Sequence, residues 1–205
     1  MNKKVEVIKP DDILDYWFGT GTSDAAIAKA QKKLWWSKDE AVDADIRNRF
    51  CNLVEAAASG AHDDWAAKPR GRLALILLFD QFPRNMYRDT SRAFAYDPLA
   101  RELALAGIAA GADRQLRPIE RVFCYLPLEH AESLDLQEQC VALYAALATA
   151  VPQAEQAVFS GYVDFARRHH DIIQRFGRFP HRNRILDRAS TAEEEQFLQQ
   201  PGSSF

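Results

Sequence analysis

The stretch LALILLFDQFPRN, residues 73–85, decides the fold class, because its first seven residues are all apolar. A helix needs about 20 apolar residues to cross a bilayer, so this run is too short for a membrane span. We interpret it as a central helix that packs on several sides. Pro83 lacks a backbone donor and disfavours helix at the residue before it. We therefore predict that the chain leaves the helix there in a rigid corner.

Helical patterns continue on both sides of this stretch. Apolar residues recur at helical spacing over residues 42–54 and again over residues 158–176. Helix starts are marked by prolines and capping boxes, at Pro10, Ser37/Glu40, Asp97-Pro98, Pro118 and Ser190/Glu193. No β-branched alternation bounded by hairpin turns is present. The sequence predicts an all-α protein of about eight helices, and the short links make antiparallel neighbours the default.

Size and composition fit one globular domain. The chain has 205 residues, of which 47% are hydrophobic and 27% charged. We predict a single helical domain over residues 1–205, with a core of about 11–199 and flexible ends at 1–9 and 200–205. No long apolar window and no secretory signal pattern occur, and the three cysteines read as reduced. These features predict a cytoplasmic protein.

The charge pattern argues against two classes of partner. A net charge of −3 gives no general attraction to nucleic acid or to anionic membranes, and we expect neither as a partner. The charges are unevenly placed, however. The segment from Arg167 to Arg188 contains seven arginines and only two aspartates. Arginine offers a planar fork that suits carboxylate or phosphate groups, so this segment is a candidate for anion binding.

Two similar stretches, FDQFPRN at residues 79–85 and FGRFPHRN at residues 176–183, each follow an apolar helix. In the second, Gly177 is expected to end the helix with a positive φ, and Pro180 prevents the helix from resuming. The phenylalanines would anchor each corner in the core and fix the polar side chains between them. Fixed donors favour binding, because their ordering cost is met during folding.

We predict that both corners face one pocket, together with a Glu-His pair in the segment PLEHAE and a histidine in the last long apolar stripe. Arg84, Arg178 and Arg182 would make forked contacts with a ligand, and the amides would orient it. Asp80 needs a partner, for which Arg84 at i+4 is the local candidate and an arginine of the second stretch is another. The candidate ligand-binding residues are Asp80, Gln81, Arg84, Asn85, Glu129, His130, His169, Arg178, His181, Arg182 and Asn183.

Three functions fit these residues. The leading hypothesis is a binding module for an anionic small molecule or a peptide carboxylate. The second is a hydrolase in which Asp80 or Glu129 works with a histidine as acid and base. The third is a scaffold whose polar residues only satisfy helix ends. No P-loop, GxGxxG, HExxH or Glu-x-x-His pattern occurs, so no cofactor or metal is expected, and catalytic residues and oligomeric state stay open.

Four segments together resemble one protein family. They are DYWFG at 15–19, LILLFDQFPRNMYR at 75–88, LPLEHAES at 126–133 and FGRFPHRNRILDRASTAEEEQFL at 176–198. Their identity and order resemble the bacterial proteins catalogued as domain of unknown function 924. The resemblance implies a tetratricopeptide-like α-α superhelix of antiparallel helix pairs, and it implies no activity. Two positions depart from the family pattern, His170, where arginine is usual, and Asp187, where glycine is common.

Overall fold

The computed structural model describes residues 8–204, and all regular structure within this range is helical. The all-α prediction is therefore confirmed. Residues 1–7 and 205, which belong to the predicted flexible ends, lie outside the described residues. Ten α-helices follow in order, α1 Pro10–Phe18, α2 Asp24–Trp36, α3 Glu40–Ala58, α4 Pro69–Ile76, α5 Phe82–Met86, α6 Asp97–Ala109, α7 Pro118–Glu129, α8 Leu134–Ala150, α9 Gln156–Phe176 and α10 Ala192–Leu198.

Four short 3₁₀ turns and one π segment supplement these helices. The 3₁₀ turns are Asp63–Ala67, Ser91–Phe94, Ala112–Gln115 and Pro180–Arg182, and the π segment is Leu77–Gln81. The π segment joins α4 to α5 without a break, so the two form one continuous helical stretch. Across residues 8–204, no helix is both long and apolar enough to cross a membrane.

The corner predicted at Pro83 is wrong. Phe82 keeps helical dihedral angles, and its N–H donates to the carbonyl of Leu77, five residues earlier. In a regular α-helix the ring of Pro83 would clash with the carbonyl of Phe79, four residues before it. The wider π turn avoids that clash, so the helix continues through the proline. Asp80 and Gln81 consequently project from a helix rather than from a loop.

Two predicted capping boxes also start at a different residue. Ser37 donates to the carbonyl of Lys33 at the end of α2, and Asp39 caps α3 instead. At α10 the cap is Thr191 with Glu194, one residue later than the predicted pair. At α10, the predicted pair Ser190/Glu193 and the observed pair Thr191/Glu194 both fit the capping-box pattern. Glu194 also accepts two hydrogen bonds from Arg178, which favours the observed pair.

The core surrounds the central stretch. Residues 73–79 are each at most 4% exposed, which confirms the prediction of a helix packed on several sides. Helix α4 contacts α1, α6 and α7, while α5 contacts α3. Helix α8 packs against both α7 and α9. The superhelical course implied by the family resemblance stays a prediction.

A smaller apolar cluster seats the end of the chain. Ile172 and Ile173 of α9 bury Phe179, and Phe176 and Phe197 pack at its margin. Gly177 ends α9 with a φ of 69°, as predicted. The segment that follows therefore folds back on α9, which brings the 3₁₀ turn at residues 180–182 towards the end of α7.

Candidate functional site

Parts of the two Phe-Pro segments meet at one aromatic ring. The guanidinium carbon of Arg84 lies 4.6 Å from the centroid of Phe94, and that of Arg182 lies 4.8 Å from the same centroid. Arg182 also lies over Phe179, at 4.4 Å. Residues distant in sequence thus share one location. We call the group around it the Arg182 cluster, consisting of Asp80, Gln81, Arg84, Glu129, His130, His169, His181 and Arg182.

A buried carboxylate and an imidazole form the centre of this cluster. His130 Nδ1 lies 2.7 Å from Asp80 Oδ1, and the Gln81 amide donates to Asp80 Oδ2 at 2.5 Å. Asp80 is 1% exposed. Burial alone would raise the pKa of Asp80, but the attraction and hydrogen bond of His130 outweigh it and hold that pKa below its usual value. Asp80 is therefore ionised and accepts both hydrogen bonds.

Glu129, next to His130 in the chain, behaves in the opposite way. It is 5% exposed, and burial, followed by the charge of Asp80, raises its pKa to about 8. A carboxyl group with this pKa holds its proton at neutral pH. Glu129 Oε1 lies 3.4 Å from Nδ1 of His169, whose own pKa is lowered to about 3, chiefly by burial. The cluster thus contains a protonated acid beside an ionised one.

Arg182 is a buried cation with an incomplete set of acceptors. It is 6% exposed, and Nη1 donates to the carbonyl of His130 at 3.0 Å. Its Nε is buried and makes no hydrogen bond within residues 8–204. Burial, and next the repulsion of Arg84, lower the pKa of Arg182 to about 10, so the group stays charged at neutral pH. One N–H group of the guanidinium, that of Nε, therefore lacks an acceptor in the described part of the chain.

His181 precedes Arg182 and stays neutral. Burial, together with the charge of Arg182, lowers the pKa of His181 to about 4. Its ring centroid lies 5.7 Å from that of Phe179. The imidazole therefore adds polar atoms to the cluster without adding charge at neutral pH.

Four candidate side chains are satisfied by other parts of the protein. Arg84 lies 3.9 Å from Asp80, but it makes two hydrogen bonds of 2.9 Å to Asp97, which is its main partner. The remaining three lie in separate networks. Arg178 pairs with Glu194, Asn85 donates to Asp43, and Asn183 contacts Ser190 and Arg188. Two of the three predicted arginine forks are thus occupied by carboxylates of the protein itself.

Sequence reasoning missed several residues that shape the cluster. Phe94 gave no signal, since it lies in a short 3₁₀ turn. Glu132 accepts from the backbone N–H of Phe179 and from both Nη atoms of Arg188, which fixes the second segment against the end of α7. Gln137 is fully buried, and its amide donates to the carbonyls of Glu129 and Ala131. The sequence did contain a signal for Gln137, because this residue lies at helical spacing in one stripe with Cys140 and Tyr144.

One groove of the surface, of about 530 Å³, lies between α3, α4 and α6. It contains Leu75, Phe79 and Arg72, and none of the candidate residues. Among residues 8–204, no group of three or more histidine, cysteine or acidic side chains is arranged to hold a metal ion. The contents of the cluster suit proton transfer and the binding of a small anion.

Fold and site together define an all-α protein with a buried cluster of acids, histidines and arginine. The model of the family described as bacterial protein of unknown function (DUF924) matches residues 13–202, and the chain belongs to this family. The solved structure of ATU0120 from Agrobacterium tumefaciens, a protein of unknown function, is similar. It shares 39% identity at a TM-score of 0.77, covering 93% of this chain and 96% of that one. No curated protein matches the chain.

Proposed function

We propose that this protein binds a small carboxylate at Arg182. The observation that carries the proposal is the Nε–H group without an acceptor, on a side chain that is only 6% exposed. A buried donor without a partner costs about 1–3 kcal/mol. A carboxylate ligand would remove that cost, because its two oxygens match the two parallel N–H groups of Nε and Nη2.

Rigidity supports the same proposal. The guanidinium of Arg182 contacts the rings of Phe94 and Phe179, and Nη1 is held by the carbonyl of His130. A donor fixed in this way loses little conformational freedom when a ligand binds. Its affinity for an anion therefore exceeds that of a mobile surface arginine.

Local charge favours a monoanion over a phosphate dianion. Asp80 is ionised, and the charge of Arg84 is matched by Asp97. With Asp80 and Arg182 included, the four side chains are neutral overall. A carboxylate on Arg182 would therefore add one negative charge, whereas a phosphate dianion would add two and bury more negative charge near Asp80 at considerable cost. A scaffold fits less well. Replacing buried ionic groups by apolar side chains is often neutral or stabilising, so a protein that needs only a stable fold has no need of these groups.

The test is a thermal-shift and calorimetry series with acetate, succinate and inorganic phosphate at fixed ionic strength. Succinate should stabilise the protein, by about 2.7 kcal/mol at one hundred times the dissociation constant. R182K keeps a cation but loses the fork, so it should lose binding. R178K is the matched control, because Arg178 is paired with Glu194, and it should bind like the wild type.

Two results would count against the proposal. Stronger stabilisation by phosphate than by succinate would overturn the assignment to a carboxylate. Equal stabilisation of the wild type and R182K would place the ligand elsewhere on the molecule.

A further inference from the structure

We propose that His130 is a general base that activates water to hydrolyse an ester or amide bond of the bound carboxylate. This inference rests on the proposed carboxylate site, and it adds a reaction to what would otherwise be a binding protein. Its basis is the arrangement of Asp80, His130 and Arg182.

The tautomer of His130 follows from its partner. Asp80 is ionised, so its oxygens can only accept hydrogen bonds. Nδ1 of His130, 2.7 Å from Asp80 Oδ1, must therefore carry a hydrogen. In the neutral ring the lone pair is then on Nε2, which is the atom able to take a proton. Asp80 acts as a positioning residue, as carboxylates do when they orient a catalytic imidazole.

Accessibility distinguishes His130 from its neighbours. Its side chain is 17% exposed, while those of Asp80 and His169 are 1% and 5% exposed. His130 is therefore the member of the Asp80–His130 pair that water can reach.

The anion site and the base are directly connected. Arg182 Nη1 donates to the backbone carbonyl of His130, so one residue carries both the proposed base and an anchor of the guanidinium. A ligand whose carboxylate binds the guanidinium can then present an acyl group to the imidazole of His130.

The other titratable groups near His130 are less accessible. Glu129 is 5% exposed and holds a proton at neutral pH, because burial and the charge of Asp80 disfavour its ionised form. His169 is unsuited to the role of base, because its Nδ1 donates to the carbonyl of Phe165 at 2.9 Å and its side chain is 5% exposed. The cluster therefore contains one accessible base, His130.

The proposed reaction balances with water as the only co-reactant. Water loses a proton to Nε2 of His130 while its oxygen bonds to the acyl carbon. The bond from that carbon to the alcohol oxygen or amine nitrogen then breaks, and the imidazolium of His130 gives its proton to the leaving group, which restores the neutral imidazole. The products are a second carboxylic acid and an alcohol or an amine.

The experiment measures hydrolysis of the monomethyl esters and monoamides of malonic, succinic, glutaric and adipic acid by the full chain. Turnover of at least one of them is expected, and methyl butyrate, which lacks the second carboxylate, should be a much poorer substrate. H130Q should lower the rate by about 100-fold or more. H170Q removes a surface histidine paired with Asp171 and is the matched control, expected to keep the wild-type rate.

A second measurement needs no variant that could fail to fold. Nitrogen-15 NMR of the wild-type imidazoles should show His130 with hydrogen on Nδ1 and the lone pair on Nε2. D80N should change this tautomer population and the rate together, because an amide can also donate to Nδ1. A merely structural Asp80 would leave the tautomer unchanged while altering stability.

The outcomes separate this inference from the proposed function. Succinate binding that survives in H130Q, with no hydrolysis of any compound by the wild type, would overturn the inference and leave the carboxylate site standing. Failure of the wild type to bind succinate would overturn both the inference and the proposed function. Turnover that is retained in H130Q, or His130 with hydrogen on Nε2 alone, would also refute the role of His130.

Discussion

Glu129 connects the cluster to the stability of the protein through one proton. Its pKa is about 8 in the folded chain, against an ordinary value of 4.5. Between these two values the folded state binds one more proton than the unfolded state. The free energy of unfolding contributed by Glu129 therefore falls as pH rises through this window, by up to about 1.4 kcal/mol per pH unit. Burial of the Glu129 carboxyl thus lowers the free energy of unfolding only at pH values at which a solvent-exposed carboxyl would be ionised.

E129Q should remove this pH dependence, because the amide resembles the protonated acid and cannot ionise. Urea unfolding at about pH 5 and about pH 8 should show the variant gaining stability relative to the wild type as pH rises. His169 and His181 contribute the opposite slope at lower pH, since their pKa values are depressed, but they are present in both proteins. The difference between the two proteins therefore isolates Glu129.

E193Q provides the control, since Glu193 is 61% exposed and pairs with Arg175 at the surface. Its difference from the wild type should stay nearly constant across the same pH range. A constant difference for E129Q as well would show that Glu129 carries no proton at neutral pH.

At the residue scale, the sequence indicated that Asp80 needs a partner and offered two arginines for it. Arg84 at i+4 does lie near Asp80, at 3.9 Å, but its main partner is Asp97. The closer partner of Asp80 is His130, at 2.7 Å and 50 residues away. Long-range pairing depends on how the helices pack, and no residue spacing reports that.

Helix α7 illustrates how a whole element positions the cluster. Its last turn carries Glu129 and His130, and the carbonyls at a helix end have no partner within the helix. Gln137 of α8 donates to the carbonyls of Glu129 and Ala131, while Arg182 donates to that of His130. Side chains from two other elements therefore cap α7 and fix its end.

Q137A should leave these buried carbonyls without donors and lower the free energy of unfolding by about 1–3 kcal/mol. Gln139 lies on the same helix and is only partly buried, so Q139A is the matched control and should change stability little. Urea unfolding measures both, and the NMR signals of His130 should shift only in Q137A. Equal effects of the two variants would contradict a capping role for Gln137.

Glycine substitutions test the packing of two further elements. An added Cβ at Gly71 of α4 would lie 2.2 Å from the backbone oxygen of Trp65, so G71A must displace main chain. We expect a loss of about 1–3 kcal/mol from this overpacking. At Gly161 of α9 nothing lies within 4 Å of such a Cβ, so G161A should gain about 0.5–1 kcal/mol. A stable G71A protein in urea unfolding would refute the contact between α4 and the turn at residues 63–67.

The element boundaries show which signals the sequence carries. Gly177 and Pro118 mark their helix ends correctly, because each acts through its own backbone geometry. Pro83 misleads, since its effect depends on whether the preceding turn can widen. Here the apolar residues on both sides are buried, and keeping them in one continuous helix outweighs the local preference for a break.

On the scale of the whole molecule, two apolar clusters of unequal size support the Arg182 cluster. The large core includes residues of the π segment, which carries Asp80, and of α7, which ends at Glu129 directly before His130. The small cluster has three buried residues, Ile172, Ile173 and Phe179, and it seats the segment that carries Arg182. The all-α class followed from helical spacing along the chain, but this division did not, because it depends on which buried faces meet.

Hydrogen exchange should reveal the unequal stability of these two parts. Amides of residues 73–79, in the large core, should exchange only on global unfolding, whereas those of residues 180–188 should exchange faster through local opening. Succinate bound at Arg182 would tie the small cluster to Phe94 and His130, so it should slow exchange at 180–188 in the wild type and not in R182K. Equal exchange rates for the two regions would show that they unfold as one unit. Slowing of exchange in R182K would place the bound anion away from this guanidinium.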